Sequence, residues 1–178
     1  MKTKILTLEI LETIIFVALV VIPIRYFIFE PFIIRGESMY PNFQDGDYII
    51  ADKLSYFIRD PKRYEIIVFK APPFKGAYYI KRIIGLPNEK IEIKSGKIKI
   101  YNKENPNGFY LNENYKKIDV GEDENLVLEL KENEYFVLGD NRAASFDSRK
   151  WGPVLRKDII GRAIIKVFPP SIIYAEKE

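Results

Sequence analysis

Apolar residues in this chain form one long run near the start and many short runs after it. The long run covers residues 13–29, and Pro23 and Arg25 are its main interruptions. Its length is at the lower limit for a helix that crosses a bilayer, so we expect a retained anchor within residues 1–29. Two alternatives stay open. A cleaved secretory leader would need a small-x-small site, which residues 29–34 do not offer, and a soluble protein could bury this helix in its core.

The short apolar runs have the period of two and the β-branched composition that are typical of strands. The runs at 91–94 and 97–100 flank Ser95-Gly96 and predict a hairpin with a two-residue turn. Pro169 and Pro170 are expected to end the fold. The other predicted strands cover residues 32–34, 48–52, 66–69, 78–84, 126–130, 134–138 and 159–168. The chain after residue 30 is therefore predicted to be rich in β-structure.

Charged residues say little about the orientation of the predicted anchor and exclude one class of partner. Lys2 and Lys4 on one side nearly balance Arg25 and Arg35 on the other. No second comparable apolar run follows, so we expect everything after residue 30 to lie on one side of the membrane. The net charge of the 178-residue chain is +3 with the two signs interleaved, which does not predict nucleic-acid binding. A mildly basic chain would still favour anionic lipid headgroups.

Two residue types are missing from the sequence, and their absence restricts the possible chemistry. The chain has no cysteine, which excludes disulfides, thiolate nucleophiles and zinc-thiolate sites. It also has no histidine, so a Ser-His-Asp triad is impossible. A serine enzyme built on this chain would need another base, and lysine is the established substitute.

Ser38 and Lys81 are the candidates for such a pair. Ser38 follows Gly36 in a turn, although most serines in such turns only cap or solvate the turn. Lys81 shares a face of its predicted strand with Tyr79 and Ile83. A lysine needs a pKa lowered by about 3 units to be largely neutral at pH 7, and burial among apolar groups supplies shifts of that size. The alternative for Lys81 is a solvated lysine at a sheet edge.

Several segments of the chain resemble, in order, the successive motifs of bacterial type I signal peptidases. No single segment is specific, but the ordered set is, and it covers almost the whole chain. The segments are Gly36-x-Ser38-Met39-x-Pro41, Gly46-Asp47, residues 66–69, residues 79–87 and residues 139–149. The resemblance implies a mainly β fold, with an antiparallel catalytic domain of the signal peptidase/LexA-like type, a small β insertion and one N-terminal transmembrane helix.

The resemblance also implies roles for individual residues. Ser38 matches the nucleophile, Lys81 the general base, and Ser145 a serine that hydrogen-bonds to the lysine and orients it. Charged residues that support the site match Arg82, Asp140, Asp147 and Arg149. The positions that line shallow pockets for small substrate side chains match Ile34, Met39, Val68, Tyr79 and Ile80, and Met39 lies against the active site in the family. No metal and no cofactor are implied.

The chain departs from the best-studied Gram-negative pattern at two places. Gly36 replaces a second serine, so the Ser38 backbone N–H must do more in the oxyanion hole, as in Gram-positive relatives with glycine at this position. Ala143-Ala144 replaces the usual Asp-Asn before Ser145, which puts the local hydrogen bonding in doubt. The short segment between the two last motifs implies a reduced insertion at 94–133, within a catalytic domain of 30–93 plus 134–174.

The function that the resemblance implies is removal of signal peptides from exported preproteins, by cleavage after Ala-x-Ala or a similar small-x-small motif. The expected partners are preproteins, membrane lipid and, indirectly, the export machinery, with no nucleic acid. The expected location is the cell membrane, with a single pass and an extracytoplasmic catalytic domain. One alternative is a membrane-tethered β-domain that binds a partner without chemistry. Another is a self-cleaving Ser-Lys regulator, which would need a scissile Ala-Gly or Cys-Gly before Ser38 that the chain lacks.

Overall fold

The computed structural model describes residues 2–72, 74, 76–113, 125–168 and 170–173. Its three α-helices are α1 (Lys2–Phe16), α2 (Ser55–Ile58) and α3 (Ser148–Trp151). Its strands are β1 (Phe29–Ile33), β2 (Tyr48–Asp52), β3 (Ile66–Lys70), β4 (Tyr78–Gly85), β5 (Lys90–Lys94), β6 (Lys97–Tyr101), β7 (Phe109–Tyr110), β8 (Leu126–Glu129), β9 (Glu134–Leu138), β10 (Val154–Leu155), β11 (Ile159–Lys166) and β12 (Ser171–Ile172). The prediction of a mainly antiparallel β protein with an apolar N-terminal helix is confirmed.

The N-terminal helix continues beyond α1 through two π-helical stretches, Val17–Val21 and Ile24–Ile28. Its segment Glu9–Ile28 has 20 residues and a mean hydropathy of 2.1, which makes it long and apolar enough to cross a membrane. None of that segment is buried against the rest of the described chain. The interpretation as a buried helix of a soluble core is therefore wrong, whereas a membrane anchor and a leader both fit.

The larger sheet carries most of the strands in the order β1-β2-β11-β3-β4-β9-β10, with β12 paired to β11. Its neighbours are antiparallel, for example Val68 opposite Ile80 in β3 and β4. The first strand starts earlier than the predicted 32–34 and includes Pro31. Proline is tolerated there because β1 is an edge strand, so no ladder hydrogen bond is needed on its outer side.

The smaller sheet has the order β7-β6-β5-β8 and contains the predicted hairpin. Ser95 and Gly96 both have positive φ, 50° and 72°, as a two-residue type I′ turn requires. The sheet begins at Lys90, before the predicted insertion boundary at 94, because β5 pairs along its length with β6. Residues 114–124 of the predicted insertion lie outside the described part of the chain.

The two sheets share a core, and the fold continues beyond its predicted end. Ile91 and Ile100 of the smaller sheet pack in one buried cluster with Phe136 and Leu138 of the larger sheet. The expectation that the prolines at 169–170 end the fold is wrong, because β12 follows them and pairs with β11. Proline ends a strand by lacking an N–H, but it leaves the chain after it free to turn back and pair.

Candidate active site

Ser38 lies in a turn between β1 and β2 that backbone hydrogen bonds hold in place. The Ile34 N–H donates to the Asp47 carbonyl at 2.9 Å, which closes the base of the turn. Gly36 has a φ of +85°, a left-handed conformation that glycine adopts without strain. Its N–H donates to the Asp45 carboxylate at 2.7 Å. The serine is therefore presented by a fixed backbone, which the bond from Gly36 to Asp45 helps to hold.

Lys81 reaches Ser38 where one edge of β4 is open. The ladder between β4 and β9 ends at the pair Arg82 and Leu138, so β9 does not cover the edge of β4 at position 81. The Lys81 Nζ donates to the Ser38 Oγ at 2.7 Å and to the Ile80 carbonyl at 3.0 Å. Lys81 is only 4% exposed. The structure thus brings the two candidate residues, 43 positions apart, into direct contact.

The environment of Lys81 lowers its pKa and so increases the fraction of the neutral amine. Burial lowers the pKa of Lys81 from 10.5 to about 8, although the carboxylates of Asp147 and Asp140 act in the opposite direction. Both carboxylates are engaged by guanidinium groups, which limits their effect on the lysine. At a pKa of about 8, roughly one lysine in ten is neutral at pH 7, compared with about one in 10³ for a free lysine.

Two buried ion pairs hold the segments around the site. Arg82 donates from Nε and Nη2 to the two oxygens of Asp140, each at 2.7 Å. Arg149 donates to Asp147 from Nε at 2.8 Å and from Nη2 at 2.9 Å. The Asp147 carboxylate also accepts from the Gly139 N–H at 3.1 Å. These are the four charged residues that the resemblance singled out, and all of them are in positions that brace the loop after β9.

Ser145 lies close to Ser38 and Lys81 but forms no hydrogen bond with Lys81. Its Oγ is buried and has no hydrogen-bond partner among the described residues. A Cβ built on Gly139 would collide with both the Ser145 Oγ and the Ser38 carbonyl, so these two groups meet over this glycine. The predicted hydrogen bond from Ser145 to Lys81 is therefore not formed in this structure. Gly139 is needed because only a hydrogen fits between the two serines.

A cleft of about 350 Å³ opens beside Ser38 and Lys81. The pocket residues predicted from the resemblance that line it are Ile34, Val68, Tyr79 and Ile80. Met39 does not line it, because its side chain points inward and is 1% exposed in a cluster with Phe43. The expectation of Met39 as a pocket residue is thus not supported by the geometry, and it packs beneath the serine turn instead.

Some residues around the cleft were not predicted from the sequence. The backbone N–H of Asn141 donates to the Ser38 carbonyl at 3.0 Å, and its side chain donates to the Glu37 carbonyl at 3.2 Å. Asn141 also accepts from the Ala144 N–H at 3.3 Å, which holds the loop at the Ala143-Ala144 departure. Phe146 lines the cleft. No sequence pattern around Asn141 determines which distant segment this loop will contact.

Comparison with known proteins agrees with this geometry. The model of the family described as "Signal peptidase, peptidase S26" matches residues 7–168 of the chain. The chain belongs to the peptidase S26 family. A probable signal peptidase I-2 from Synechocystis is 38% identical over 168 residues, which cover 91% of this chain and 73% of that protein. Signal peptidase I P from Bacillus subtilis subsp. natto is 36% identical over 165 residues, covering 89% and 88%.

A solved signal peptidase I from Enterococcus faecalis is 34% identical to this S26 chain. It covers 58% of this chain and 97% of its own length, with a TM-score of 0.49. Peptidases of this family are serine proteases that use a Ser-Lys dyad. The family model and the two relatives confirm the assignment of this chain as a serine protease of the signal peptidase type.

Proposed function

We propose that this chain is a membrane-bound signal peptidase in which Ser38 is the nucleophile and Lys81 the general base. The observation that supports this mechanism most strongly is the distance of 2.7 Å between Ser38 Oγ and the Nζ of Lys81, a lysine that is only 4% exposed. That distance is within the range for direct proton transfer between a nucleophile and its base. The alternative hypothesis, a β-domain that binds a partner without chemistry, does not explain why a buried lysine contacts a serine.

In the first half of the reaction, neutral Lys81 takes the proton of the Ser38 hydroxyl as Oγ attacks the scissile carbonyl carbon. The Ser38 N–H donates to no described acceptor, so it is free to donate to the developing oxyanion. The Lys81 ammonium then gives its proton to the leaving amine, the peptide bond breaks, and an ester to Ser38 remains. Lys81 is neutral again at the end of this half.

In the second half, Lys81 takes a proton from water, whose oxygen attacks the ester carbonyl. Collapse of the second tetrahedral intermediate returns the proton to Ser38 Oγ and releases the acyl product as a carboxylic acid. Gly36 offers no side-chain hydroxyl to the oxyanion, and a single such donor is typically worth 10²–10³ in rate. The fixed backbone of the serine turn is the compensation that this chain offers, because a preorganised N–H needs no reorientation.

We propose that the cleft selects substrates with small side chains on the acyl side of the scissile bond. Its walls at Ile34, Val68 and Ile80 are aliphatic, and its volume is about 350 Å³. A shallow apolar cleft of that size accommodates alanine-sized side chains together with the peptide backbone. This supports cleavage after a small-x-small motif such as Ala-x-Ala.

We infer the roles of the supporting residues from their contacts. Arg82 with Asp140 and Arg149 with Asp147 hold the loop after β9 against the serine turn. Ser145 orients Lys81 in this proposal, and it would do so by accepting from the Lys81 amine once the substrate has settled in the cleft. Tyr79 lies with its ring 5.3 Å from Lys81 Nζ and limits the space that the amine explores.

The proposed location is a membrane that the Glu9–Ile28 helix crosses once, with residues 29–178 on the extracytoplasmic side. Preproteins that carry signal peptides emerge on that side, next to the bilayer, where the export machinery delivers them. Digestion of sealed inverted vesicles with an added protease tests this arrangement. The domain should be protected there and become accessible only when detergent opens the vesicles.

The decisive test of the activity is incubation of the detergent-solubilised chain with a preprotein, followed by mass measurement of both products. Cleavage directly after a small-x-small sequence supports the proposal. Self-cleavage of the chain with an intact preprotein would favour the self-cleaving regulator. No cleavage of either would leave the non-enzymatic tether as the better account.

A further inference from the structure

A second cavity, larger than the cleft, lies where the smaller sheet meets the rest of the domain. Its volume is about 760 Å³, within the range of roughly 300–1,000 Å³ that is usual for small-molecule sites. The segment between β4 and β5 forms one wall, and the segment that follows β6 forms the other. The cavity shares no lining residue with the cleft beside Ser38 and Lys81. The mechanism proposed for the cleft therefore uses no part of this cavity.

The deepest part of the cavity lining is a buried ion pair that several hydrogen bonds hold in place. Arg63 and Glu89 are each only 5% exposed, and the Arg63 guanidinium donates to both oxygens of the carboxylate, at 2.6 and 2.9 Å. The same carboxylate accepts from the Leu86 N–H at 2.8 Å and from the side-chain amide of Asn102 at 3.1 Å. Because the two charges face each other, this part of the cavity is polar and rigid but has no net charge.

The backbone around this ion pair adopts conformations that are uncommon for residues other than glycine. Tyr64 and Asn88 have φ angles of +67° and +65°, and both residues line the cavity. A tyrosine is rarely found in the left-handed region, and backbone strain of this kind is concentrated at functional sites. The Tyr64 N–H donates to the Ile83 carbonyl at 2.8 Å, and the Tyr64 carbonyl accepts from Arg82 at 2.9 Å. These bonds hold the strained conformation, so the cavity is a defined feature of the fold and not a gap left by loose packing.

Asparagine side chains make up much of the remaining lining. Asn88, Asn102, Asn105 and Asn112 all line the cavity. Asn88 and Asn112 are exposed, and their side-chain amides form no hydrogen bond with any described residue. A side-chain amide both donates and accepts hydrogen bonds, and a hydroxyl group does the same. These two amides are therefore available to a ligand that carries hydroxyl groups.

The charges and rings around the cavity restrict the class of ligand further. Lys103 and Glu104 line it with one charge of each sign, so together with the buried ion pair the lining has no net charge. A site for a phosphate or a carboxylate would carry an excess of positive charge. The ring of Phe109 lies 5.6 Å from the Arg63 guanidinium, whereas Tyr110 is 65% exposed. An exposed ring beside amides suits a ligand with apolar faces and polar edges.

We propose that this cavity binds a neutral oligosaccharide, with Asn88 and Asn112 bonded to its hydroxyls and the Tyr110 ring against one of its C–H faces. A sugar has both properties that the lining requires, since its hydroxyls donate and accept and its ring C–H groups form apolar faces. An extended peptide also donates and accepts, but it commonly binds by adding a strand to a sheet edge. The edge strand here, β7, has only two residues, which is short for such pairing.

The proposed extracytoplasmic location puts the cavity on the side of the membrane where the glycans of the cell surface lie. Only this point rests on the proposed function. The binding itself follows from the lining of the cavity, and it requires neither the Ser38–Lys81 pair nor cleavage of a preprotein.

Saturation-transfer NMR on the full chain in lipid nanodiscs tests the binding independently of cleavage. The probes are the trisaccharides of N-acetylglucosamine, glucose and mannose, and tetra-alanine and inorganic phosphate serve as competitors. At least one trisaccharide should receive magnetisation from the protein, and neither competitor should displace it. Binding of none of the three trisaccharides overturns the inference. Displacement of the sugar by tetra-alanine or by phosphate also overturns it, because its site would then be one for a peptide or for an anion.

Variants of exposed residues locate the bound sugar. The double variant Tyr110→Ser/Asn112→Ala should raise the Kd of the trisaccharide roughly tenfold or more, because it removes a ring contact and a hydrogen bond. Asn133→Ala is the matched control, since Asn133 is an exposed asparagine that does not line the cavity, and its Kd should be unchanged. Circular dichroism should show that both variants are folded. Equal Kd values for the double variant and the unaltered chain overturn the inference.

A further variant separates this cavity from the catalytic cleft. Ser38→Ala should bind the trisaccharide with the Kd of the unaltered chain, because the two sites share no lining residue. Loss of sugar binding in Ser38→Ala would place the sugar in the cleft and overturn the inference. If the unaltered chain binds the trisaccharide in the cavity but cleaves no preprotein, the proposed enzymatic function fails and this inference stands.

Discussion

Lys81 and Arg82 are neighbours on β4, both are basic, and both are almost fully buried, yet the fold treats them in opposite ways. Lys81 is 4% exposed and Arg82 is 3% exposed. Arg82 faces both oxygens of Asp140 in a bidentate pair and also donates to the Tyr64 carbonyl at 2.9 Å. Lys81 faces a hydroxyl and a carbonyl, with no carboxylate in hydrogen-bond contact.

This difference separates a structural cation from a reactive amine. A buried charge with a bidentate carboxylate partner keeps its charge and fixes two segments to each other. In a buried lysine without such a partner, the charged form is destabilised relative to the neutral form, so the pKa falls and the proton is lost more readily. The alternation of side chains along β4 places the two residues on opposite faces, and each face supplies different partners. The same strand therefore provides both the brace and the base.

The largest effect should come from removing the reactive side of this pair. Ser38→Ala and Lys81→Ala should each lower the rate of preprotein cleavage by roughly 10⁴-fold or more, because neither residue can act without the other. Circular dichroism and the Tm should show that both variants are folded. The double variant should be no slower than either single one. Near-normal turnover by either single variant would remove the dyad mechanism.

The next effect should be a loss of stability on the structural side. Arg82→Met leaves the buried Asp140 carboxylate without its bidentate partner, which typically costs about 3–5 kcal/mol. Urea denaturation measured against the unaltered chain gives the free energy of unfolding. Arg82→Met combined with Asp140→Asn should lose less than the sum of the two single changes, since the pair interacts. A change below about 1 kcal/mol for Arg82→Met would show that the pair does not brace the fold.

Lys81→Met should change stability in the other direction. The folded chain holds Lys81 with a pKa of about 8 and the unfolded chain with one near 10.5, so the unfolded state binds more protons between these values. Below pH 8 the buried charge therefore destabilises the fold, by about 3 kcal/mol, and this penalty disappears as the pH rises to 10.5. Lys81→Met should accordingly be more stable than the unaltered chain at pH 7 and lose most of that advantage by pH 10. A constant difference across this range would mean that Lys81 is not desolvated.

The pH dependence of cleavage should report the same amine. Because the neutral form is the base, kcat/KM should rise about tenfold per pH unit below 8 and level off above it. Initial rates with a soluble peptide substrate between pH 6 and 9.5 measure this curve. The Tm over the same range serves as the control for unfolding. A plateau that begins near pH 5 would assign the titration to a carboxylate and exclude Lys81 as the free-enzyme base.

The smallest effect should come from Ser145→Ala. Its Oγ is buried without a hydrogen-bond partner among the described residues, so removing it should change the free energy of unfolding by no more than about 1 kcal/mol. If Ser145 orients Lys81 during the reaction, kcat should still fall by roughly tenfold. Ser148→Ala is a matched control, because the Ser148 Oγ accepts from the Val137 N–H at 3.0 Å and has a structural role. An unchanged kcat for Ser145→Ala would exclude it from the site.

Local pattern determined a large part of this molecule. The long apolar run, the alternation at 91–100 and the β-branched runs predicted the helix, the hairpin and most strands, because period and composition act over a few residues. The missing histidine and cysteine restricted the nucleophile and base, and the ordered motifs indicated the family. The errors in the predicted ends of strands and of the fold had local causes. Pro31 is tolerated because β1 is an edge strand, and β12 forms after the proline pair that was expected to end the fold.

Only the tertiary structure decided which charges meet. Ser38 and Lys81 are 43 positions apart, and Arg82 and Asp140 are 58 apart, so no local rule determines their partners. Their meeting depends on where β9 leaves the edge of β4 and on which face of the strand each side chain occupies. The same long-range packing put Met39 beneath the serine turn and left Ser145 beside Gly139. Sequence names the reactive groups, but burial and partner choice set their protonation, and those arise only when distant segments pack together.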